Sequence, residues 1–273
     1  MEIKRDLSLD IAKGICIILM VIGHSGCPEW LNRFIYMFHM PCFFFMSGIL
    51  LSEKYLIDVR GGIRKKLKGY YRPFVKWTLI FLFLHNVFAL LHIYETSYTW
   101  RDFLALAFFM TGYLYRKVGL YQNEHQSRLF FLWLLIPAIA SLYVYDLSMS
   151  SADSLSWLYY ILAMAGIIGF IQFAKMLQND KVAVVFNYIG NKTLYILTFH
   201  FLSFKLVSYA WIRYRDLPIS NLAQFPVLEE ANSWMWIIYS ITGVTLPLLI
   251  WELLHLPIGN IIRGSEVDKP SMM

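Results

Sequence analysis

The chain has 273 residues, 58% of them hydrophobic, 18% aromatic and only 15% charged, with a mean hydropathy of +0.53. A soluble domain is about 45–50% apolar and about 25% charged, so this composition excludes a soluble core, and equally excludes disordered, collagen-like and coiled-coil chains. The formal charge of +6 is read as basic cytoplasmic loops of a membrane protein rather than as a nucleic-acid surface, and three cysteines are too few for a disulfide framework.

A spanning helix takes about 20 mostly apolar residues. Runs of that kind lie at 7–24, 34–52, 73–93, 100–115, 129–146, 155–175, 188–210 and 233–256. The expected fold is therefore all-α: a polytopic membrane bundle of about eight transmembrane helices, forming one domain over residues 1–273. The N-terminal stretch ends in His24-Ser25-Gly26-Cys27, which superficially suggests a lipoprotein signal. Asp10 and Lys13 interrupt its apolar run, however, and a cleaved signal rarely permits that. It is read as a retained first helix.

Lys and Arg in short loops set orientation. The segment after the second span carries Lys54, Arg60, Arg64, Lys65, Lys66, Lys68 and Arg72. Arg116, Lys117 and Arg128 follow the fourth span, and Lys175 and Lys181 the sixth, whereas 146–154 holds two acidic residues and no basic one. Both termini are expected in the cytoplasm. Arg213 and Arg215 dissent, diluted by Asp216, Glu229 and Glu230.

Ionisable side chains inside spans are functional candidates, because each costs about 2.5–3.5 kcal/mol on insertion scales. The first span holds Asp10, Lys13 and His24. Asp10 and Lys13 are three apart, close enough to pair on a helix. Lys13 and His24 are eleven apart, which at about 100° per residue returns to nearly the same face about 16 Å along the axis. The second span is read as beginning at Phe38-His39-Met40-Pro41, with the proline in its first turn. The short intervening loop lets His39 converge with His24. A two-histidine metal site lacks a carboxylate or thiolate at ligand spacing, so no metal is expected, and acid–base chemistry fits better. Elsewhere, His85 and His92 share a face of the third span, and Glu252 and His255 read as an interfacial pair near the end of the last.

Asp10-Ile11-Ala12-Lys13-Gly14, then Gly23-His24, then Phe38-His39-Met40-Pro41 and Phe43-Phe44-Phe45-Met46-Ser47-Gly48 resemble the membrane acyltransferase-3 family, in particular its sugar O-acetyltransferase branch. Lys13 and His24 keep that family's spacing of a basic residue, ten positions and a histidine. Tyr71-Arg72-Pro73-Phe74, Phe109-Met110-Thr111-Gly112-Tyr113-Leu114 and Ile189-Gly190-Asn191-Lys192-Thr193-Leu194-Tyr195 through His200 resemble later family segments in family order. Relative to the family, about two helices are missing between His92 and the span that follows.

The resemblance implies transfer of an acyl group, in the first instance acetyl from acetyl-CoA, to a hydroxyl of a surface carbohydrate or its precursor. It implies an enzyme of the bacterial inner membrane whose partners are acyl-CoA, a carbohydrate acceptor and the bilayer. It assigns His24 as the base that takes the hydroxyl proton, His39 as a helper and Asp10 as the holder of Lys13. Lys13, Lys65, Lys66, Lys68 and Arg72 are then cationic contacts for the CoA phosphates or the developing negative charge. Two other readings fit the same residues: a shortened, inactive relative working as a partner subunit, and a transporter. The second lacks the inverted symmetry that transporters often display.

Overall fold

The computed structural model describes residues 6–51, 101–123, 130–144, 147–149, 156–230 and 234–255. All regular structure among them is helical. The chain divides into two compact units, residues 1–43 with 126–273, and residues 44–125. The expected third span, the basic segment with Lys65, Lys66, Lys68 and Arg72, and both His85 and His92 lie outside the described residues.

Helix α1 runs Leu7–His24, matching the first expected span residue for residue. Asp6 caps it, accepting from the Ser8 backbone N–H at 2.9 Å and from the Ser8 hydroxyl at 2.6 Å, which satisfies donors that a helix start leaves free. At the far end Ser25 donates through both its N–H and its hydroxyl to the Ile22 carbonyl. Gly26 then turns the chain at a φ of 76°, a left-handed conformation natural to glycine. Helix α1 is central to its unit: Ile11, Ala12, Cys16 and Val21 are fully buried.

Helix α2 spans Glu29–Ile49 and starts well before the expected position, with Glu29 paired to Arg33 one turn on. Pro41 is consequently inside the helix, not in its first turn. The expected start falls later because Asn32 and Arg33 look like loop, yet these polar residues occupy a regular helical turn. Asn32 earns its place by donating to the Gly23 carbonyl at 2.7 Å, tying α2 to the end of α1.

In the unit of residues 44–125, the end of α2 meets α3 (Arg101–Lys117), which a short α4 (Leu120–Asn123) follows. The contact is backbone to backbone. A Cβ on Gly48 would stand 1.9 Å from the Phe109 carbonyl oxygen, and one on Gly112 2.0 Å from that of Phe45. Arg116 closes the end of this crossing by donating to the carbonyls of Ile49 and Leu51.

The other unit continues with α5 (Phe130–Tyr143) and α6 (Ser156–Met176), which pack through Gly169 against Trp133 and through a stack of Phe130 on Phe173 at 5.2 Å. The expected span at 188–210 is divided. Helix α7 (Val182–Gly190) ends at Asn191, and α8 (Thr193–Arg215) begins after Lys192. Gly14 and Gly190 let α1 and α7 touch: their Cβ atoms would fall 2.1 Å from the Phe186 oxygen and 1.9 Å from the Asp10 oxygen. Helix α9 (Met235–His255) runs alongside α8, with Tyr239 against Phe204 and hydrogen-bonded to Ser208 at 2.9 Å.

Among the described residues, four helices, α1, α6 with its 3-10 extension, α8 and α9, are long and apolar enough to cross a membrane. Helix α5 is apolar but has 14 residues, about 21 Å at 1.5 Å per residue.

Candidate active site

The sequence places two groups on α1 that an apolar helix would not carry without cause. The first is the expected pair: Lys13 Nζ lies 3.3 Å from Asp10 Oδ1, with side-chain exposures of 26% and 10%. Spacing of three residues brings both to one side of the helix, and the pairing is what makes a carboxylate and an ammonium tolerable in this setting. The same stretch of backbone, Asp10 to Gly14, faces the Gly190 end of α7.

The second group is His24, at the end of α1. Its Nδ1 lies 2.8 Å from the Tyr36 hydroxyl of α2. Its ring is 5.6 Å from that of His200, with planes 27° apart, and 5.2 Å from Phe201. Thus residues from α1, α2 and α8 meet around one imidazole. The Ser25 and Ser240 hydroxyls, 2.9 Å apart, tie α9 to the same level.

Hydrogen-bond chemistry fixes the tautomers of the neighbours. His39 Nδ1 lies 2.7 Å from the Ile35 carbonyl, and His200 Nδ1 lies 3.1 and 2.9 Å from the carbonyls of Ile196 and Leu197. A carbonyl only accepts, so Nδ1–H donates in both rings, and Nε2 is the acceptor of the neutral form. His200 is 1% exposed, and its Nε2 has no hydrogen-bond partner among the described residues. A buried acceptor left unmatched costs about 1–3 kcal/mol, an arrangement that suits a site completed by a visiting donor.

The expected convergence of His24 and His39 takes place through Tyr36. His24 bonds its hydroxyl, and the His39 ring stands 5.0 Å from its ring in an edge arrangement. Tyr36 does not stand out in the sequence although it lies in the 34–52 run, because the motif is read from Phe38; a helix begun at Glu29 puts Tyr36 about one turn before His39. His200, linked to His24 across 176 positions, has no periodicity that could announce the contact. Glu252 accepts from the Tyr188 hydroxyl and lies 3.3 Å from Lys192 Nζ, whose ammonium sits 3.2 Å above the Tyr188 ring; the side chain of His255, its expected partner, lies outside the described residues. No group of three or more His, Cys, Asp or Glu among the described residues could hold a metal ion.

Comparison with known proteins places these residues in context. Residues 6–103, which contain Asp10, Lys13, His24, Tyr36 and His39, match the acyltransferase-3 family, described as an acyltransferase domain. The chain is similar to Nodulation protein NolL of Mesorhizobium japonicum, 40% identical over 90 residues that make up 28% of this chain and 24% of that protein. It is also similar to Nodulation protein NolL of Sinorhizobium fredii, 44% identical over 60 residues, 18% of this chain and 16% of that protein. The chain thus matches about a quarter or less of the length of these curated relatives. No solved structure matches. Over residues 6–103, the chain is similar to the acyltransferase-3 family.

Proposed function

We propose that the protein is a membrane-bound O-acyltransferase that moves an acyl group, acetyl in the first instance, from acyl-CoA to a hydroxyl of a cell-surface carbohydrate or its precursor. The observation that carries this reading is the imidazole pair at the end of α1: His24, oriented by Tyr36, faces His200, whose buried Nε2 is unmatched. The family match over the segment that holds His24 supports the reaction class.

In this reading Nδ1–H of His24 donates to the Tyr36 oxygen, which leaves the lone pair on Nε2. That nitrogen takes the proton of the acceptor hydroxyl as the oxygen attacks the thioester carbonyl. The C–S bond breaks, and the proton passes to the departing CoA sulfur, giving an ester and free CoA. His200 Nε2 accepts a hydrogen bond from substrate, and His39 buttresses Tyr36 from behind. Asp10 orients Lys13, a cation for the CoA phosphates, and the basic segment of Lys65, Lys66, Lys68 and Arg72 supplies positive charge that attracts the same anionic donor.

The chain in this reading crosses the bacterial inner membrane about eight times with both termini in the cytoplasm, an orientation that most of its basic loops favour. The test is glycan analysis of a strain lacking the gene. An ester-linked acyl group should vanish, return with the wild-type gene and stay absent with His24→Ala. Equal rescue by His24→Ala would remove the base assignment.

A further inference from the structure

Lys205 is an ionisable residue that the transfer chemistry does not use. It lies in α8, a helix long and apolar enough to cross a membrane, where a lysine costs about 2.5–3.5 kcal/mol on insertion scales. Its Nζ donates to the Leu222 carbonyl at 2.7 Å and to the Gln224 carbonyl. Both carbonyls belong to the segment that follows α8, so the charge is answered by the backbone of a loop folded back onto the helix.

That segment is built to be held. Asp216 reverses the chain with φ 51° and ψ 38°, and the Leu217 N–H returns to the Ile212 carbonyl at 3.1 Å. A 3-10 turn, Ile219–Ala223, follows. Asn221 donates to Glu230 at 2.7 Å, and the Gln224 side chain accepts from the Glu229 N–H at 2.9 Å. Beyond it, Val227 packs by the Gly26 turn, where an added Cβ would meet it at 3.1 Å, and Leu228 is 2% exposed.

The residue between the tethered and the buried parts is Phe225. Its ring lies 4.6 Å from that of Phe201, which in turn lies 5.2 Å from His24 and 3.9 Å from His200. Phe225 nevertheless keeps 56% of its surface open. An exposed aromatic ring that reaches a proposed base through one intervening ring, Phe201, is a surface on which the C–H groups of a sugar ring can rest, since an aromatic face is electron-rich and those C–H groups are weakly positive.

We propose that Lys205 is a positioning residue for the acceptor: by holding the carbonyls of Leu222 and Gln224 it sets Phe225 beside Phe201, and the two rings form the wall against which the sugar is oriented toward His24. This rests on the reading of His24 as the base for a carbohydrate hydroxyl. A methionine at 205 would occupy similar volume and spare the insertion cost, but it has no N–H groups to give. Arginine retains donors and charge.

The test uses the full-length protein in lipid nanodiscs, with acetyl-CoA as donor and a panel of methyl hexosides as acceptors. Lys205→Met should raise KM for the acceptor about tenfold while KM for acetyl-CoA stays within about twofold. Lys205→Arg should restore most of the loss. Phe225→Ala should reproduce the acceptor defect and Phe225→Tyr should not. In parallel, hydrogen exchange of amides 217–228 should accelerate about tenfold or more in Lys205→Met. Unchanged exchange overturns the tether whatever the activity. Equal changes in both KM values, or none, overturn the acceptor role. If His24→Ala transfers as well as wild type, or wild type transfers to no hexoside, the acceptor role falls with the base reading, and the exchange measurement still judges the tether separately.

Discussion

The two ends of α1 are held in opposite ways. Near its start, Gly14 and Gly190 bring two backbones into contact, and an ion pair of Asp10 and Lys13 lies on the same stretch. At its finish, the nearest neighbours of Gly23 are the side chains of Tyr36 and Ile35, and His24 is surrounded by rings from α2 and α8, among them His200, whose Nε2 has no partner among the described residues. Backbone contact has no rotamers to change, so the first end behaves as a fixed joint. Rings set 4–6 Å apart can tilt and admit another group, which is what the proposed chemistry asks of the second end. One helix thus joins an immovable support to an adaptable site.

The comparison predicts losses of different kinds at the two ends. His24→Ala should reduce acyl transfer by about 10²- to 10⁴-fold, the ordinary worth of a general base, while thermal unfolding in detergent changes little. A comparable loss of folded protein would show that the ring cluster is structural. Gly190→Ala should do the reverse. Its Cβ would stand 1.9 Å from the Asp10 oxygen, so α1 and α7 must separate, and destabilisation of about 1–3 kcal/mol is expected for overpacking. Unchanged unfolding and size-exclusion behaviour would show that the joint gives way easily.

Two smaller changes sharpen the contrast. Lys13→Met leaves the Asp10 carboxylate, 10% exposed, without its cation; about 1 kcal/mol of stability should be lost, and Asp10→Asn in the same chain should recover part of it. A double-mutant cycle reads the coupling. Tyr36→Phe removes only the hydroxyl beside His24 Nδ1. Loss of one hydrogen bond, about 0.5–1.5 kcal/mol, should appear as a fall in kcat of about two- to tenfold with little effect on unfolding.

What could be read from residues alone follows the same division. The first helix emerged residue for residue because its capping residue, its apolar run and its terminal turn are all local. The Asp10–Lys13 pair emerged from spacing on that one helix. The start of α2 did not, because polar Asn32 and Arg33 conceal a helical turn whose purpose lies in a neighbour: Asn32 serves the Gly23 carbonyl of α1. The division of the seventh span was likewise hidden, since Gly190 answers a crossing with α1 and not any pattern of its own segment. His24 could be singled out as a candidate, but its contact with His200 depends on how α8 returns, which no period in the sequence encodes.

The three cysteines, Cys16, Cys27 and Cys42, are all unpaired and all buried. For a membrane chain this has a practical consequence. A bulky, charged maleimide meets no accessible native thiol, so the natural sequence serves as its own unlabelled background. Single cysteines introduced into the segments 53–72 and 146–154 can then be reported one at a time from either face of the membrane, without first stripping thiols from the core and disturbing α1 and α2.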